Sequence, residues 1–89
     1  MKITKRRGNI VLYDDEKLIN SILKANAETS EDLTPRAAAY LSDVVIGRLA
    51  KAYDIITTEQ IRKGVYEALR ENGFVMTAER YKEYVKEQQ

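Results

Sequence analysis

The sequence predicts a mainly α domain, α+β overall, in which an N-terminal β-hairpin precedes a four-helix bundle. Three observations carry that reading. The first thirteen residues are short β-branched runs separated by turn chemistry, because Gly8 and Asn9 both tolerate positive φ. From Asp14 onward, apolar residues recur at helical spacing. Start and stop signals divide that second stretch into four segments. The organisation expected is one domain over residues 1–89, with the hairpin in 1–13 and the helices in 14–89.

In the hairpin, Ile3-Thr4-Lys5 and Ile10-Val11-Leu12-Tyr13 read as strands around Arg7-Gly8-Asn9. An isolated hairpin is marginal in water, so it must pack on the helices. Asp14 is a good N-cap for the first helix, with Asp15 and Glu16 at its positive end. Leu18, Ile19, Ile22 and Leu23 form its apolar stripe, and it fades near Ala27. Glu28 to Leu33 is a polar connection. Thr34 then caps a second helix with Pro35 at its first position, running to about Tyr53. Its buried face is expected at Leu41, Val44, Val45, Leu49 and Ala52, with Gly47 at a close packing point.

Asp54-Ile55-Ile56 reads as a short connection. Thr57 with Gln60 is a capping-box pattern that opens a third helix. Ile61, Val65, Ala68 and Leu69 are its stripe, and Asn72-Gly73 ends it. Thr77 can cap a fourth helix, whose inner face would be Ala78, Tyr81 and Tyr84/Val85. Aromatic residues at helical spacing usually pack, so Tyr81 is expected in the core and Tyr84 at the border of a site.

Composition narrows the chemistry. Cysteine and histidine are both absent, which removes disulfides, thiolate and imidazole metal sites, a Cys nucleophile and a His base. No metal site built from side chains is expected. The net charge of +1 gives no global attraction to nucleic acid or to an anionic membrane. The N-terminus is too polar for a signal peptide, and no apolar run is long enough to span a bilayer. A cytoplasmic protein without a membrane association is the expectation.

Local charge is more informative. Lys5, Arg6 and Arg7 place three cations in or beside a tight turn, and Lys17 sits on the first turn of the next helix. A cation there opposes the helix dipole, so Lys17 has no ready structural explanation. If the hairpin folds onto that helix, these groups can converge on one anion. Arginine can grip two phosphate oxygens with its planar fork, and lysine acts as a point charge. A charge run is, in general, more often a solvated face.

The opening stretch resembles the first motif of the ATP-cone family. That motif is a hydrophobic residue, any residue, Lys-Arg-Asp-Gly, a short strand, Phe-Asp and a lysine on the next helix. Here it reads Ile3, Lys5-Arg6-Arg7-Gly8, Tyr13-Asp14 and Lys17-Leu18 without a gap. Ile56-Thr57-Thr58-Glu59-Gln60-Ile61 is similar to the start of the family's third helix. Ala78 with Tyr81 and Tyr84 resembles its closing helix. This sequence departs from the pattern at Arg7, where an acid is usual, at Leu12, where proline is frequent, and at Val85 and Gln88, where basic residues often stand.

The resemblance implies a hairpin lid over four helices that binds ATP or dATP as an allosteric effector, with Mg carried in on the nucleotide if at all. It implies Lys5, Arg6 and Lys17 as phosphate contacts and Asp14 as a contact to base or sugar. Ile3, Val11 and Leu18 would form the apolar slot for the base. Thr58, Arg62, Tyr84 and Gln88 would line the far side. It also implies control of ribonucleotide reductase activity or assembly, through a reductase catalytic domain or subunit and through homo-oligomerisation on ligand binding. No nucleophile–base pair and no Walker-type glycine loop is visible, so a regulatory domain rather than an enzyme is expected. Two other readings stand beside it. One is a small nucleic-acid-binding module using Lys5, Arg6, Arg7 and Arg62. The other is a helical protein-interaction module without a ligand.

Overall fold

The computed structural model describes residues 2–4, 10–12 and 15–87, and the surroundings of side chains from 16 to 84. Within it are β1 (Lys2–Thr4), β2 (Ile10–Leu12), α1 (Asp15–Ala27), α2 (Pro35–Ala52), β3 (Ile56–Thr57), α3 (Thr58–Glu71) and α4 (Val75–Glu87). The chain is mainly helical. α1 packs on α2 and α4, and α3 packs on the same two helices, so the four close into a ring.

The strands form a small sheet in the order β2-β1-β3. β1 and β2 pair antiparallel, with Ile3 opposite Val11. The turn expected at Arg7-Gly8-Asn9 and the cap expected at Asp14 lie outside the described residues. β3 is an addition to the sequence reading, which had Asp54-Ile55-Ile56 as a plain connection. It pairs parallel to β1, with Ile3 opposite Ile56 and Thr4 opposite Thr57. Two residues carry too little periodicity to read as a strand alone. Only the arrival of β1 more than fifty positions away in sequence makes them one.

The core is the inward side of the ring. Leu18, Ile22, Ala25, Leu41, Val45, Ile61, Val65, Leu69, Ala78 and Tyr81 are all buried there. On α2 the buried face is Ala38, Leu41, Ser42, Val45 and Ile46. The expected Ala52 is exposed, and Val44 and Leu49 are half-buried. Ile46, which the sequence reading left out, is buried beside Val45. Gly47 is also corrected: a Cβ there would meet nothing within 4 Å. The close approach is at Gly64, where a Cβ would lie 2.8 Å from Val45 Cγ1, so α3 crosses α2 at that glycine.

Caps explain most of the helix boundaries. Thr34 accepts from the Ala37 N–H at 3.1 Å, and Pro35 follows at the first helical position. At α3 the capping box is complete: the Thr57 hydroxyl accepts from the Gln60 N–H at 3.1 Å, and the Thr57 N–H donates to Gln60 Oε1 at 2.9 Å. α3 stops on Gly73, whose φ of 87° supplies the left-handed residue. The Phe74 N–H donates to Leu69 O at 2.8 Å and the Gly73 N–H to Arg70 O at 3.1 Å, which together make a Schellman stop.

The start of α4 differs from expectation. Thr77 is not its cap, because α4 begins at Val75 and Thr77 already lies inside the first turn. The Phe74 carbonyl takes the first helical bond, from the Ala78 N–H at 2.9 Å. Phenylalanine has no side-chain acceptor, so the next free N–H groups need a partner from elsewhere. Glu31 provides it. Its carboxylate accepts from the Met76 N–H at 3.0 Å, the Thr77 N–H at 2.7 Å and the Thr77 hydroxyl at 2.7 Å. A carboxylate at a helix N-terminus is also favoured by the dipole. The same joint holds Asn26, whose amide donates to Glu31 O at 2.9 Å and to Thr77 Oγ1 at 3.0 Å. Thr77 is thus fully buried with its hydroxyl both donating and accepting.

Candidate functional site

α1 carries two faces with different work. Its inner face, Leu18, Ile22 and Ala25, lies in the core. Its flank toward α4 opens into a recess of about 620 Å³, lined by Lys17, Asn20, Ser21, Leu23, Lys24 and Ala27 from α1 and by Tyr84 from α4. Lys17 and Lys24 stand two helical turns apart, which places them on one face roughly 10 Å apart along the axis. None of the described lining residues is a carboxylate. The Lys24 ammonium sits 5.8 Å from the centroid of the Tyr84 ring, within cation–π range. The recess is therefore an electropositive, partly aromatic hollow.

Ser21 links this recess to the interior. Its hydroxyl donates to Leu18 O at 2.7 Å and lies in hydrogen-bond reach of the Tyr81 phenol. Burial pushes the Tyr81 phenol up from 10.0 to about 12, against the opposing pull of the Arg62 charge and the Ser21 hydroxyl. Arg62 of α3, Tyr81 of α4 and Ser21 of α1 are thereby neighbours across the ring.

The structure does not bring all the expected site residues together. Lys17 and Tyr84 meet in the recess. Leu18 is buried in the helical core at 9% exposure. Thr58 is half-buried at the first position of α3, with Thr57 taking the cap, and Arg62 is half-buried one turn further on; neither lines the recess. Ile3 and Val11 are paired opposite each other in the sheet. Lys5, Arg6, Asp14 and Gln88 lie outside the described residues.

The sheet adds one relation that motif spacing could not give. Thr4, the last residue of β1, pairs with Thr57, the residue that caps α3. The chain just before Lys5 therefore runs beside the N-terminus of α3, the positive end of that helix's dipole. Asn20 and Lys24 were missed by the sequence reading. The available signal was the i, i+3, i+7 spacing from Lys17, which puts all three on one face of α1.

Among the described residues, no three His, Cys, Asp or Glu side chains gather in a way that could hold a metal ion. No described helix is long and apolar enough to cross a membrane.

A ring of four helices with a small sheet and a lysine-lined hollow on one flank has the form of a small helical domain. The family model of the ATP cone domain matches residues 1–89, the whole chain, and the chain belongs to that family. Its members are nucleotide-binding allosteric regulatory domains, not catalytic ones. No curated protein matches the chain.

Proposed function

We propose that this chain is a single regulatory domain over 1–89 that senses ATP against dATP and controls the activity or assembly of a ribonucleotide reductase. The observation that carries the site is the meeting of Lys17 and Tyr84 in a recess that Lys24 also lines. Lys5, Arg6 and Lys17 bind the phosphates in this reading, and Asp14 contacts the base or sugar. Ile3, Val11 and Leu18 flank the base. Thr58, Arg62, Tyr84 and Gln88 complete the far wall. Any Mg²⁺ arrives with the nucleotide.

The mechanism needs two states. Nucleotide draws β1 and β2 down as a lid over the helices, and closure reshapes the outer surface that meets a reductase catalytic domain or subunit, or a second copy of this chain. ATP and dATP differ by one 2′-hydroxyl, so they switch the domain only through different relative affinities for the open and closed forms. The pairing of Thr4 with Thr57 supports this reading, because it couples the lid strand to the α3 start.

Calorimetric titration with ATP, dATP and GTP on the wild-type chain and on Lys17→Ala tests it. Binding of ATP or dATP by the wild type and at least tenfold weaker binding by Lys17→Ala is the expected result, since a charge-assisted contact is lost. No binding of any nucleotide at millimolar concentration contradicts the reading. Light scattering on the same samples reports ligand-driven assembly.

A further inference from the structure

The geometry points to Lys24 as a phosphate-counting residue: it holds the end of a nucleoside triphosphate chain that Lys17 alone does not reach, and so selects triphosphates over monophosphates. This inference rests on the nucleotide reading above and deepens it.

The argument begins with α1. Lys17, Asn20 and Lys24 share the face that floors the recess, and Ser21 and Tyr84 complete its polar wall. The two lysines are separated by roughly 10 Å along the helix axis. Each ends a flexible four-carbon stem, so their ammonium groups can lean toward each other over Asn20 and flank an elongated polyanion between them. A lone phosphate engages one of them at a time. Charge complementarity therefore grows with the number of phosphates.

Lys24 is also preplaced. The Tyr84 ring lies 5.8 Å from its ammonium, and both residues line the recess. A cation–π contact at an exposed site is weak enough to yield to a phosphate, roughly 0.5–1 kcal/mol against a stronger charge-assisted bond. Asn20, between the two lysines, offers an amide N–H to the phosphate oxygens.

The test titrates ATP, ADP and AMP into the full chain and into Lys24→Gln and Lys24→Arg at one fixed ionic strength. Lys24 is exposed, so both variants are expected to fold with the wild-type melting curve. Lys24→Gln should weaken ATP about tenfold, weaken ADP less and leave AMP unchanged, as one charge-assisted contact is lost from the longest ligand. Lys24→Arg should keep the wild-type order of the three ligands. ATP affinity unchanged in Lys24→Gln overturns the inference while leaving the nucleotide site standing. An equal loss for all three ligands also overturns it, because Lys24 would then not distinguish phosphate number. A wild-type chain that binds none of the three overturns the nucleotide reading and this inference together.

Discussion

The α1–α4 contact is built in two unlike ways along its length. Where the end of α1 and the following connection meet the start of α4, Asn26, Glu31 and Thr77 bond one another and the free N–H groups of α4. Arg80 adds an exposed ion pair to Glu28 at 2.9 Å. Along the flank of the same two helices, Lys17, Lys24 and Tyr84 surround an open hollow. The first region matches each polar group with a neighbour and so fixes how α4 sits. The second keeps its charge facing solvent, where a ligand can meet it. In the proposed reading, one contact thus separates what orders the fold from what binds nucleotide.

Substitutions can break this division. Tyr81 lies on α4 between Thr77 and Tyr84, and it is 2% exposed. Tyr81→Ala should have the largest effect, a loss of about 3–5 kcal/mol in urea unfolding, with nucleotide binding lost alongside. Tyr81→Phe should remain folded and lose an alkaline transition. The unfolded phenol ionises near 10.0, whereas the folded one keeps its proton to about 12. Its stabilising contribution is therefore intact below pH 10.0 and lost as the pH rises toward about 12. A flat stability profile across that window in the wild type would contradict the buried placement.

Thr77→Val comes next. It leaves the Asn26 amide and the Glu31 carboxylate each one bond short, at a cost of about 1–3 kcal/mol. Nucleotide affinity should not change, and a parallel loss of affinity would show that the two regions are not separable. The joint should also weaken in acid. Burial raises the Glu31 carboxyl, but the hydrogen bonds from Thr77 and Met76 outweigh it and hold its pKa below the ordinary 4.5. The ionised form is thus favoured in the folded chain. Its contribution is present above the ordinary value and is lost as the pH falls through the lowered one. Glu31→Gln should flatten that part of the acid unfolding profile.

The smallest effects separate the two glycines. Gly47→Ala meets open space and should stabilise α2 by up to about 1 kcal/mol through helix propensity. Gly64→Ala drives a Cβ against Val45 and should lose stability by about 1 kcal/mol or more. Thermal unfolding of the pair checks the sign of each.

The same contrast explains what the sequence could reveal. Local chemistry was legible: the Thr34-Pro35 start, the Thr57–Gln60 box, the Gly73 stop and the Tyr81 core position all depend on neighbours within a few residues. What depended on distant partners was not. The cap of α4 is a carboxylate 46 positions from Thr77, so Thr77 itself looked like the cap. β3 is a strand only because β1 lies beside it. Gly64 looked ordinary, because its crowding comes from Val45 on another helix. In the recess, Lys17 was legible from its unfavourable place near a helix start. Lys24 was not, because a lysine in the last turn of a helix already has a reason to be there.

The most direct test of the central claim is a map of backbone and side-chain NMR shifts on titrating ATP into the wild-type chain. Saturable changes at Lys17, Asn20, Lys24 and Tyr84, and at Thr57 and Thr58 beside the end of β1, with Asn26, Glu31 and Thr77 unmoved, are the predicted result. No saturable change, or changes centred on the Glu31–Thr77 joint with the recess silent, would contradict it.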